Sequence, residues 1–360
     1  MENNSMNKFK VMIVGMGKRG KHHATAFNAN PNFQVTGICD IDAEKLKAAA
    51  PSLGNPVVGT DAARMAKEIK PDLFCFCTMP HIRTEMLKIA VDCGAKMVAF
   101  EKPVALGMKE ALVLKSLVEK SGIKAVVSHQ HRYGVHYRKV KEIAASGELG
   151  RIEMIYAGAT GWMTHMMSHM VDYMRWYNGN AEAEWVIGQA SGKSKLSDNH
   201  PSPDYIEGII QFANGVRGIV ECGAGAPDQP EVAKWWGKNR ICVQGTEGFA
   251  EVLTNGGWRA VTSKGVQKGE GAMNYDLDMP PYIQEMADWL ISGKIHQNSF
   301  DNAFKGCEIV NGIIRSALYG GQVRLPLADG PDEIEELKSK LPERKAIANL
   351  SNKAEFPGCE

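Results

Sequence analysis

The sequence predicts an α/β protein, with a doubly wound parallel sheet in its first part and a large, open, mostly antiparallel sheet with helices in its second. Three observations support this fold class. A glycine-rich turn joins the first strand to the first helix. Short apolar segments then alternate with helical segments up to about residue 128. Beyond that point, β-rich segments are separated by hairpin signals such as Ala213-Asn214-Gly215.

Composition narrows the class of protein. The 360 residues are 44% hydrophobic and 23% charged, which is typical of a globular chain long enough for two domains. A net charge of +1 predicts no nucleic-acid or membrane-surface partner. No apolar run approaches the ~20 residues that span a bilayer. Because no apolar leader precedes the first strand and the eight cysteines form no paired CxxC pattern, we expect a cytoplasmic protein with free thiols, including Cys75 and Cys77.

The first strand and helix frame a dinucleotide-binding motif. Phe9 to Val14 is a short apolar run, and the turn that follows has the pattern GxGxxG. Gly15 permits a tight turn, Gly17 lets the backbone approach a pyrophosphate, and Gly20 lets the helix pack closely on the strand. The free N–H groups at the helix N-terminus attract phosphates. This context predicts a Rossmann domain whose whole turn contacts the cofactor: Gly15, Met16, Gly17, Lys18, Arg19 and Gly20.

An acidic residue ends the second predicted strand. Asp40 closes the segment QVTGICD, twenty residues after Gly20. A carboxylate at this point accepts hydrogen bonds from the adenosine ribose hydroxyls and repels a 2′-phosphate, which favours NAD over NADP. Lys18 and Arg19 could still tolerate a phosphate, so NADP is the less favoured alternative. Asp42 is expected to cap the following helix, DAEKLKAAA.

The alternation of strands and helices continues along the chain. Strands are predicted at VVGT, PDLFCFCT, KMVAFEKP and KAVVSHQ, and helices at DAARMAKEI, HIRTEMLKIAVDCG and KEALVLKSLVEKSG. Ligands of such sheets bind at the carboxyl ends of the strands. These ends and the residues beside them supply the other cofactor-binding candidates: Thr78, His81, Glu101, Lys102 and Gln130.

Six further segments are predicted to form the strands of the second half. They are RIEMIYAGATG, AEWVIGQASG, YIEGIIQFANG, VRGIVECGAG, RICVQGTEGFAEVLT and WRAVTS. PYIQEMADWLISG and NAFKGCEIVNGIIRSALYGG are predicted helices that end in glycine. We expect a Rossmann domain at residues 1–128, a substrate-binding and oligomerisation domain at 129–330, and a peripheral tail at 331–360 with one short helix followed by weak order.

Two histidines lie one helical turn apart in the segment THMMSHMVDYMRW. His165, His169 and Asp172 share one face of the predicted helix, and methionines and aromatic residues cover most of the remaining circumference. A helix that is apolar over most of its circumference is usually buried. The three polar residues are a catalytic group, a hydrogen-bonded core cluster, or metal ligands, with Asp172 or His200 completing a histidine pair. The sequence alone leaves these interpretations open.

Several motifs together point to a known family. Glu101-Lys102-Pro103 follows the glycine turn by about eighty residues and ends a predicted strand. The segments HQHRYGVHYRKVKEIAASGELGRIEMI, GWMTHMMSHMVDYMRWYNG, IIQFANGVRGIV and CVQGTEGFAEV come after it. Over roughly residues 8–326 the chain resembles the glucose–fructose oxidoreductase/inositol dehydrogenase (Gfo/Idh/MocA) family, in which these segments form the crossover helix, the catalytic helix and the open sheet.

The resemblance implies roles for individual residues. Lys102 corresponds to the family's lysine near the nicotinamide and the reacting hydroxyl, and His169 to its catalytic histidine. Asp172 matches the second aspartate of the catalytic helix, whereas His165 stands where the family has the first. We therefore expect Lys102 and His169 to be catalytic, His165 to be catalytic or substrate-binding, and no metal ion to be needed. The remaining substrate-binding candidates are Asp172, Trp162 and Arg132.

The resemblance implies an NAD-dependent oxidoreductase that transfers a hydride between a secondary alcohol of a sugar, sugar derivative or cyclitol and nicotinamide. One alternative is a glycoside-processing enzyme that retains NAD and uses transient oxidation followed by elimination or hydrolysis. Others are a non-enzymatic cofactor-binding sensor and, more distantly, a zinc hydrolase. Because the family's open sheet often pairs subunits, we expect a homodimer or homotetramer. Trp235-Trp236 would stack on a sugar ring or form an oligomer contact.

Overall fold

The computed structural model describes residues 8–233 and 237–343, so Trp235-Trp236 and the tail beyond residue 343 lie outside the described residues. The chain divides into two compact units. Within the described residues, unit 1 comprises residues 8–105, 112–133 and 274–301, and unit 2 comprises 106–111, 134–273 and 302–343. These units differ from contiguous domains bounded near residues 128 and 330, because the segment 274–301 returns to unit 1 and residues 331–343 fall in unit 2.

Unit 1 contains a six-stranded parallel sheet with the order β3-β2-β1-β4-β5-β6. Its strands are β1 Phe9–Val14, β2 Phe33–Cys39, β3 Val57–Gly59, β4 Leu73–Phe76, β5 Met97–Glu101 and β6 Lys124–Ser128. From β1 the sheet extends in both directions, with β2 and β3 on one side and β4, β5 and β6 on the other. Doubly wound sheets open a crevice for ligands at the point where the strand order changes direction in this way. The predicted Rossmann sheet is confirmed.

Helices connect these strands. They are α1 Lys18–Ala29, α2 Ala43–Ala49, α3 Ala62–Ile69, α4 Arg83–Asp92 and α5 Met108–Ser121. Asp42 caps α2 as predicted, because its side chain accepts hydrogen bonds from the backbone N–H groups of Glu44 and Lys45. Phe27 of α1 packs on Phe33 of β2 with ring centroids 5.1 Å apart, in a core where both side chains are fully buried.

One helix of unit 1 begins earlier than the sequence predicts. The segment PYIQEMADWLISG places its start at Pro281, because proline is favoured in the first turn of a helix. The helix, α8, in fact spans Tyr275–Ser292, with Asn274 as N-cap and both Pro280 and Pro281 inside it. The two prolines remove two backbone donors, but the Asn274 cap and packing on α1 sustain the first turns. Because the helix starts early, Tyr275 is its first residue and belongs to unit 1.

Unit 2 contains a nine-stranded sheet with the order β14-β13-β12-β11-β7-β10-β9-β8-β15. Its strands are β7 Ile152–Ala159, β8 Ala183–Ser191, β9 Tyr205–Phe212, β10 Arg217–Gly223, β11 Asn239–Gly245, β12 Gly248–Leu253, β13 Gly257–Thr262, β14 Gly265–Gly269 and β15 Val323–Arg324. All neighbours are antiparallel except β7 and β10, which are parallel. The predicted large, mostly antiparallel sheet is confirmed.

The helices of unit 2 cover one face of that sheet. They are α6 Val135–Ser146, α7 Met163–Tyr177, α9 Phe300–Tyr319 and α10 Glu333–Lys340. Ile313 of α9 lies so close to Gly188 and Gly208 that a Cβ at either glycine would come within 2.6 Å of it. Ile334 and Leu337 of α10 are buried in the same core, so the helix predicted for the tail is packed. Within the described residues, no helix combines the length and apolar character that crossing a membrane requires.

Candidate active site

The glycine turn of unit 1 is packed tightly against backbone at Gly15 and Gly20 and faces open space at Gly17. Gly15 has a φ of +87°, and a Cβ there would lie 2.7 Å from the carbonyl oxygen of Cys77. A Cβ at Gly20 would lie 1.8 Å from the carbonyl oxygen of Gly15. A Cβ at Gly17 would meet nothing within 4 Å. Gly15 and Gly20 therefore close the turn against the strand ends, and Gly17 leaves the space that a pyrophosphate needs.

Asp40 lies directly after β2, beside this turn. Its Oδ2 accepts a hydrogen bond of 2.6 Å from the backbone N–H of Met16, and its Oδ1 accepts one of 2.9 Å from Asp42. The residue is 8% exposed. Each carboxylate oxygen has a second lone pair, so the side chain can still accept from a ribose hydroxyl while it holds the turn. Asp40 thus combines the expected cofactor position with a structural role that the sequence did not reveal.

Other predicted cofactor residues of unit 1 occupy different environments. The hydroxyl of Thr78, after β4, is buried and has no hydrogen-bond partner in the described part of the chain. His81 is exposed, whereas Gln130 is buried and accepts a hydrogen bond of 3.2 Å from Ser128. Arg132, a substrate-binding candidate, is fully buried and donates to the carbonyl oxygen of Gln297. Its burial indicates a structural anchor.

The N-terminal turn of α8 adds an aromatic residue that sequence reasoning missed. The guanidinium carbon of Arg19 lies 4.3 Å from the ring centroid of Tyr275. The ring of His22 stacks on the same tyrosine with centroids 4.6 Å apart. Burial raises the pKa of Tyr275 to about 12, so the phenol is neutral. Lys18, the residue before Arg19, is exposed. Tyr275 therefore orients Arg19. The sequence does not predict this contact, because it forms only when the chain returns to unit 1 at residue 274.

Lys102 lies directly after β5 and is half-buried. The peptide bond between Lys102 and Pro103 is cis. The preceding residue, Glu101, is 8% exposed, and its Oε1 lies 3.1 Å from Nε2 of His23 on α1. Unit 1 therefore brings a lysine to the same carboxyl edge of the sheet as the glycine turn.

Two thiols lie beside this pair. One ring nitrogen of His23 and the sulfurs of Cys75 and Cys77 lie within 4.8 Å of one another. A hydrogen bond with Cys75, together with burial, raises the pKa of Cys77 well above its usual value. Within the described residues Cys75 and Cys77 form no disulfide, and they are free thiols as the sequence predicts.

The histidine helix of unit 2 is buried, as its pattern predicts. Twelve of the fifteen residues of α7 are buried, His169 and Asp172 among them, while His165 is half-buried. The Nδ1 atom of His169 lies 3.0 Å from the hydroxyl of Tyr173, one helical turn further on. Asp172 is 2% exposed. A buried imidazole with one nitrogen held by a phenol has a defined ring orientation, which acid–base chemistry requires.

The polar loop after β8 is tied to the first turn of α7. The backbone N–H of Met163 donates to the Oγ of Ser202 at 2.9 Å, and the hydroxyl of Thr164 donates to the carbonyl oxygen of Pro201. This fastening places the ring of His200 with its centroid 4.0 Å from that of His165. The loop residue that the sequence suggested as a possible third ligand is therefore a direct neighbour of His165.

Trp162 precedes α7 and is half-buried. The ammonium group of Lys195, from the same polar loop, lies 6.0 Å from its ring centroid. Within unit 2, the structure thus groups four of the residues singled out from the sequence around α7: Trp162, His165, His169 and Asp172. The lysine and the glycine turn belong to unit 1.

Comparison with known proteins agrees with the two units. The oxidoreductase family with an NAD-binding Rossmann fold matches residues 9–129, and the GFO/IDH/MocA C-terminal domain matches residues 156–251. A D-glucoside 3-dehydrogenase from Escherichia coli strain K12 is 24% identical over 57% of this chain and 67% of its own length. A D-apiose dehydrogenase from Paraburkholderia graminis is 20% identical over 97% of this chain and 95% of its own length.

A solved structure shares the fold. An oxidoreductase from Agrobacterium radiobacter, in complex with NAD+, L-tartaric acid and magnesium, has a TM-score of 0.76 and 17% sequence identity, over 88% of this chain and 98% of that one. The two family matches together cover more than half of the chain, and each falls on the sheet expected for it. The chain therefore belongs to the Gfo/Idh/MocA family of oxidoreductases, with an NAD-binding Rossmann fold followed by the family's C-terminal domain.

Proposed function

We propose that the enzyme transfers a hydride between a secondary alcohol of a sugar, sugar derivative or cyclitol and the nicotinamide of NAD. The observation that carries this proposal is the position of Lys102. It directly follows β5, two strands away from β1, whose end carries the open glycine turn. Both positions are at the carboxyl edge of a parallel sheet, where such folds bind nucleotides. Relatives named D-glucoside 3-dehydrogenase and D-apiose dehydrogenase support a carbohydrate as the substrate class.

The residues of unit 1 fit NAD. The backbone at Gly17 faces open space suited to the pyrophosphate, and Asp40 would accept hydrogen bonds from the adenosine ribose. The further cofactor-binding residues that we propose are Met16, Lys18, Arg19, Thr78, His81, Glu101 and Gln130. When bound, NAD accepts or returns the hydride, and the protein supplies orientation and proton transfer.

Proton transfer is assigned to two side chains. Lys102 accepts the proton of the reacting hydroxyl, and His169 acts as a general acid or base. Because Tyr173 occupies Nδ1 of His169, proton exchange by this histidine would run through Nε2. His165, Asp172 and Trp162 would bind the substrate hydroxyls.

The pairing of His165 with His200 favours a second candidate function. Elimination next to a transiently formed ketone requires a base that removes a proton from carbon, and imidazole is suited to this near neutral pH. The family pattern has an aspartate at the position of His165, so the two adjacent imidazole rings are a feature of this chain. In this second mode, the purified protein would retain NAD, and turnover would produce no net NADH. His165→Asp would then slow elimination more than it slows hydride transfer.

We also propose a homodimer or homotetramer assembled through the sheet of unit 2. Ile187 of β8 and Ile209 of β9 are register partners, and they are 40% and 46% exposed. Their side chains lie on the face opposite Ile313 of α9, since the adjacent residues Gly188 and Gly208 face that helix. Two large apolar side chains side by side on an open sheet face suit a subunit contact.

The free thiols in the described part of the chain are consistent with a cytoplasmic location.

The first experiment is a titration of the purified protein with NADH and, separately, with NADPH. Energy transfer from tryptophan to the reduced nicotinamide reports the binding. We expect saturable binding that is tighter for NADH. A screen of sugars, sugar acids and cyclitols with NAD+ at 340 nm then identifies the substrate, and Lys102→Met should reduce turnover by about 10²–10⁴-fold while NADH still binds. A protein that binds neither nucleotide after any retained cofactor is removed would refute the proposal, and so would full turnover by Lys102→Met.

A further inference from the structure

A buried histidine of the first helix contacts the residue before the catalytic lysine. Nε2 of His23 lies 3.1 Å from Oε1 of Glu101, although the two residues are 78 positions apart in sequence. His23 is 1% exposed and Glu101 is 8% exposed. The other ring nitrogen of His23 has no hydrogen-bond partner in the described part of the chain. The carboxylate of Glu101 is therefore the polar group that fixes this ring.

The surroundings of the pair shift the pKa values of both side chains towards their charged forms. Burial would raise the pKa of Glu101, but the hydrogen bond and charge of His23, together with Arg19 and Lys102, lower it to about 2. Burial would lower the pKa of His23, but Cys77 and Glu101 raise it above its usual value. Because a thiol with a strongly raised pKa carries no charge, we attribute the effect on His23 to Glu101. Both directions favour the charged forms of the two side chains, and a buried pair of opposite charges is costly to break from one side.

Among the described residues, the other side chains around the imidazole offer no second anion. Tyr282 of α8 presents its ring at 75° to that of His23, with centroids 5.9 Å apart, and burial raises the pKa of its phenol well above the usual value. Phe27 lies one turn further along α1, with its ring centroid 6.4 Å away. Arg19 is a cation on the same helix, and Cys75 is a buried thiol of β4. Glu101 is the carboxylate against which His23 is held.

We propose that His23 is a positioning residue for Lys102. Neighbouring residues of a strand point to opposite faces, so fixing the side chain of Glu101 towards α1 sets the direction in which the next side chain leaves the end of β5. The inference rests on the proposed role of Lys102 and adds that the turn carrying this lysine is anchored from α1 by the His23–Glu101 bond. Besides the cofactor contact proposed above, Glu101 then acts through this bond to His23.

Three variants test this inference. His23→Leu removes the donor to Glu101, whereas His23→Gln keeps an N–H group that can donate to the carboxylate. Phe27→Leu is the matched control, because it removes packing from the same helix without touching Glu101. Each variant is compared with wild type for thermal stability, NADH affinity, kcat and KM, and the rate at which acetic anhydride labels Lys102, followed by mass spectrometry.

We expect His23→Leu to lower kcat by about 10²-fold, because small misplacements of a catalytic group have effects of this size, with NADH affinity nearly unchanged. Labelling of Lys102 should accelerate by about threefold or more, because the released turn opens locally more often. His23→Gln should restore most of the activity and the wild-type labelling rate. Phe27→Leu should lower the melting temperature and leave kcat and labelling unchanged.

Wild-type kcat and labelling in a folded His23→Leu protein would overturn the inference, and so would a His23→Gln protein as impaired as His23→Leu. If His23→Leu does not fold, His23→Gln decides: wild-type labelling supports the anchor, and accelerated labelling overturns it. The labelling comparison requires neither cofactor nor substrate. Failure of the proposed dehydrogenase activity would therefore leave this test intact, and the two failures can be told apart.

Discussion

The carboxylate of Asp40 is hydrogen-bonded to the backbone N–H of Met16, with Oδ2 2.6 Å from the nitrogen. This bond ties the end of β2 to the glycine turn after β1. The acidic residue that is expected to select NAD therefore also shapes the turn that is expected to hold its pyrophosphate. If Asp40 selects NAD as proposed, cofactor selectivity and the geometry of the turn are coupled through one side chain.

Asp40→Ser should shift the cofactor preference towards NADP. Loss of the negative charge removes repulsion of a 2′-phosphate, and loss of two ribose acceptors weakens NADH binding, so the NADPH/NADH affinity ratio should rise by about tenfold or more. Freeing the N–H groups of Met16 and Asp42 should also lower the free energy of unfolding by about 1–2 kcal/mol. Nucleotide titrations and urea denaturation measure the two effects. Asp42→Ser is the control; an unchanged ratio in Asp40→Ser would mean that Asp40 does not face the ribose.

Gly17→Ala and Gly20→Ala should fail in different ways. A Cβ at Gly17 meets nothing within 4 Å, so this variant should fold normally and lose NADH affinity, because the methyl group occupies the space meant for the pyrophosphate. A Cβ at Gly20 would lie 1.8 Å from the carbonyl oxygen of Gly15, so that variant should lose stability first. Melting temperatures and NADH titrations separate the two. Unchanged NADH affinity in Gly17→Ala would place the pyrophosphate elsewhere.

Local patterns were sufficient to predict most of the fold. The run from Phe9 to Gly20 contains a strand, a tight turn and a helix start within twelve residues, so its geometry is set by its own glycines. The apolar strands of the parallel sheet are also visible in short windows, because both of their faces are buried. The buried helix carrying His165 and His169 follows from its stripes of methionines and aromatic residues.

Contacts made by distant segments could not be predicted in the same way. His23 meets Glu101 only once α1 packs on the sheet, and its helical position alone does not identify a partner 78 residues away. Tyr275 reaches Arg19 because the chain returns to unit 1 at residue 274, and the prolines that follow hide the start of that helix. His200 lies beside His165 because Ser202 and Pro201 fasten its loop.

Tyr173→Phe should impair catalysis without impairing cofactor binding. The variant removes the hydroxyl that holds Nδ1 of His169, so the imidazole loses its fixed orientation, and kcat should fall by about tenfold. Tyr177→Phe is the matched control, since its hydroxyl is on the same helix and donates to the carbonyl oxygen of Tyr137. Each variant should lose about 1 kcal/mol of stability. Steady-state kinetics on the substrate found in the screen checks the difference, and equal kcat values for the two variants would argue against His169 as the acid–base residue.

Ile209→Lys should break the proposed subunit contact. A charged side chain beside Ile187 would have to be desolvated in an apolar interface, so the assembly should dissociate to monomers at micromolar concentration. Ile291→Lys, at an exposed position of α8, is the control that adds the same charge away from the sheet. Light scattering coupled to size-exclusion chromatography measures the mass. An unchanged oligomer in Ile209→Lys would move the interface to another surface, and a monomeric wild type would exclude it.

His296 should make the enzyme sensitive to acid. Its Nε2 donates to the carbonyl oxygen of Tyr282 at 3.0 Å, and its Nδ1 accepts from the backbone N–H of Asn298 at 2.9 Å. This arrangement requires a neutral ring, because a proton on Nδ1 would face another donor. Burial is the main cause that lowers the pKa of His296 to about 4 from its usual 6.5, against the smaller opposing effects of Tyr282 and Glu285.

The sign of the pH dependence follows from this lowered pKa. Between pH 6.5 and 4 the unfolded chain binds a proton at His296 and the folded chain does not, so acidification favours unfolding. From pH 7 to pH 5 this group alone should remove roughly 2 kcal/mol of stability. His296→Gln cannot titrate but keeps a donor and an acceptor, so its unfolding free energy should fall less over the same interval. Urea denaturation of both proteins at pH 7, 6 and 5 measures the difference, and parallel losses would show that His296 is not neutral in the folded enzyme.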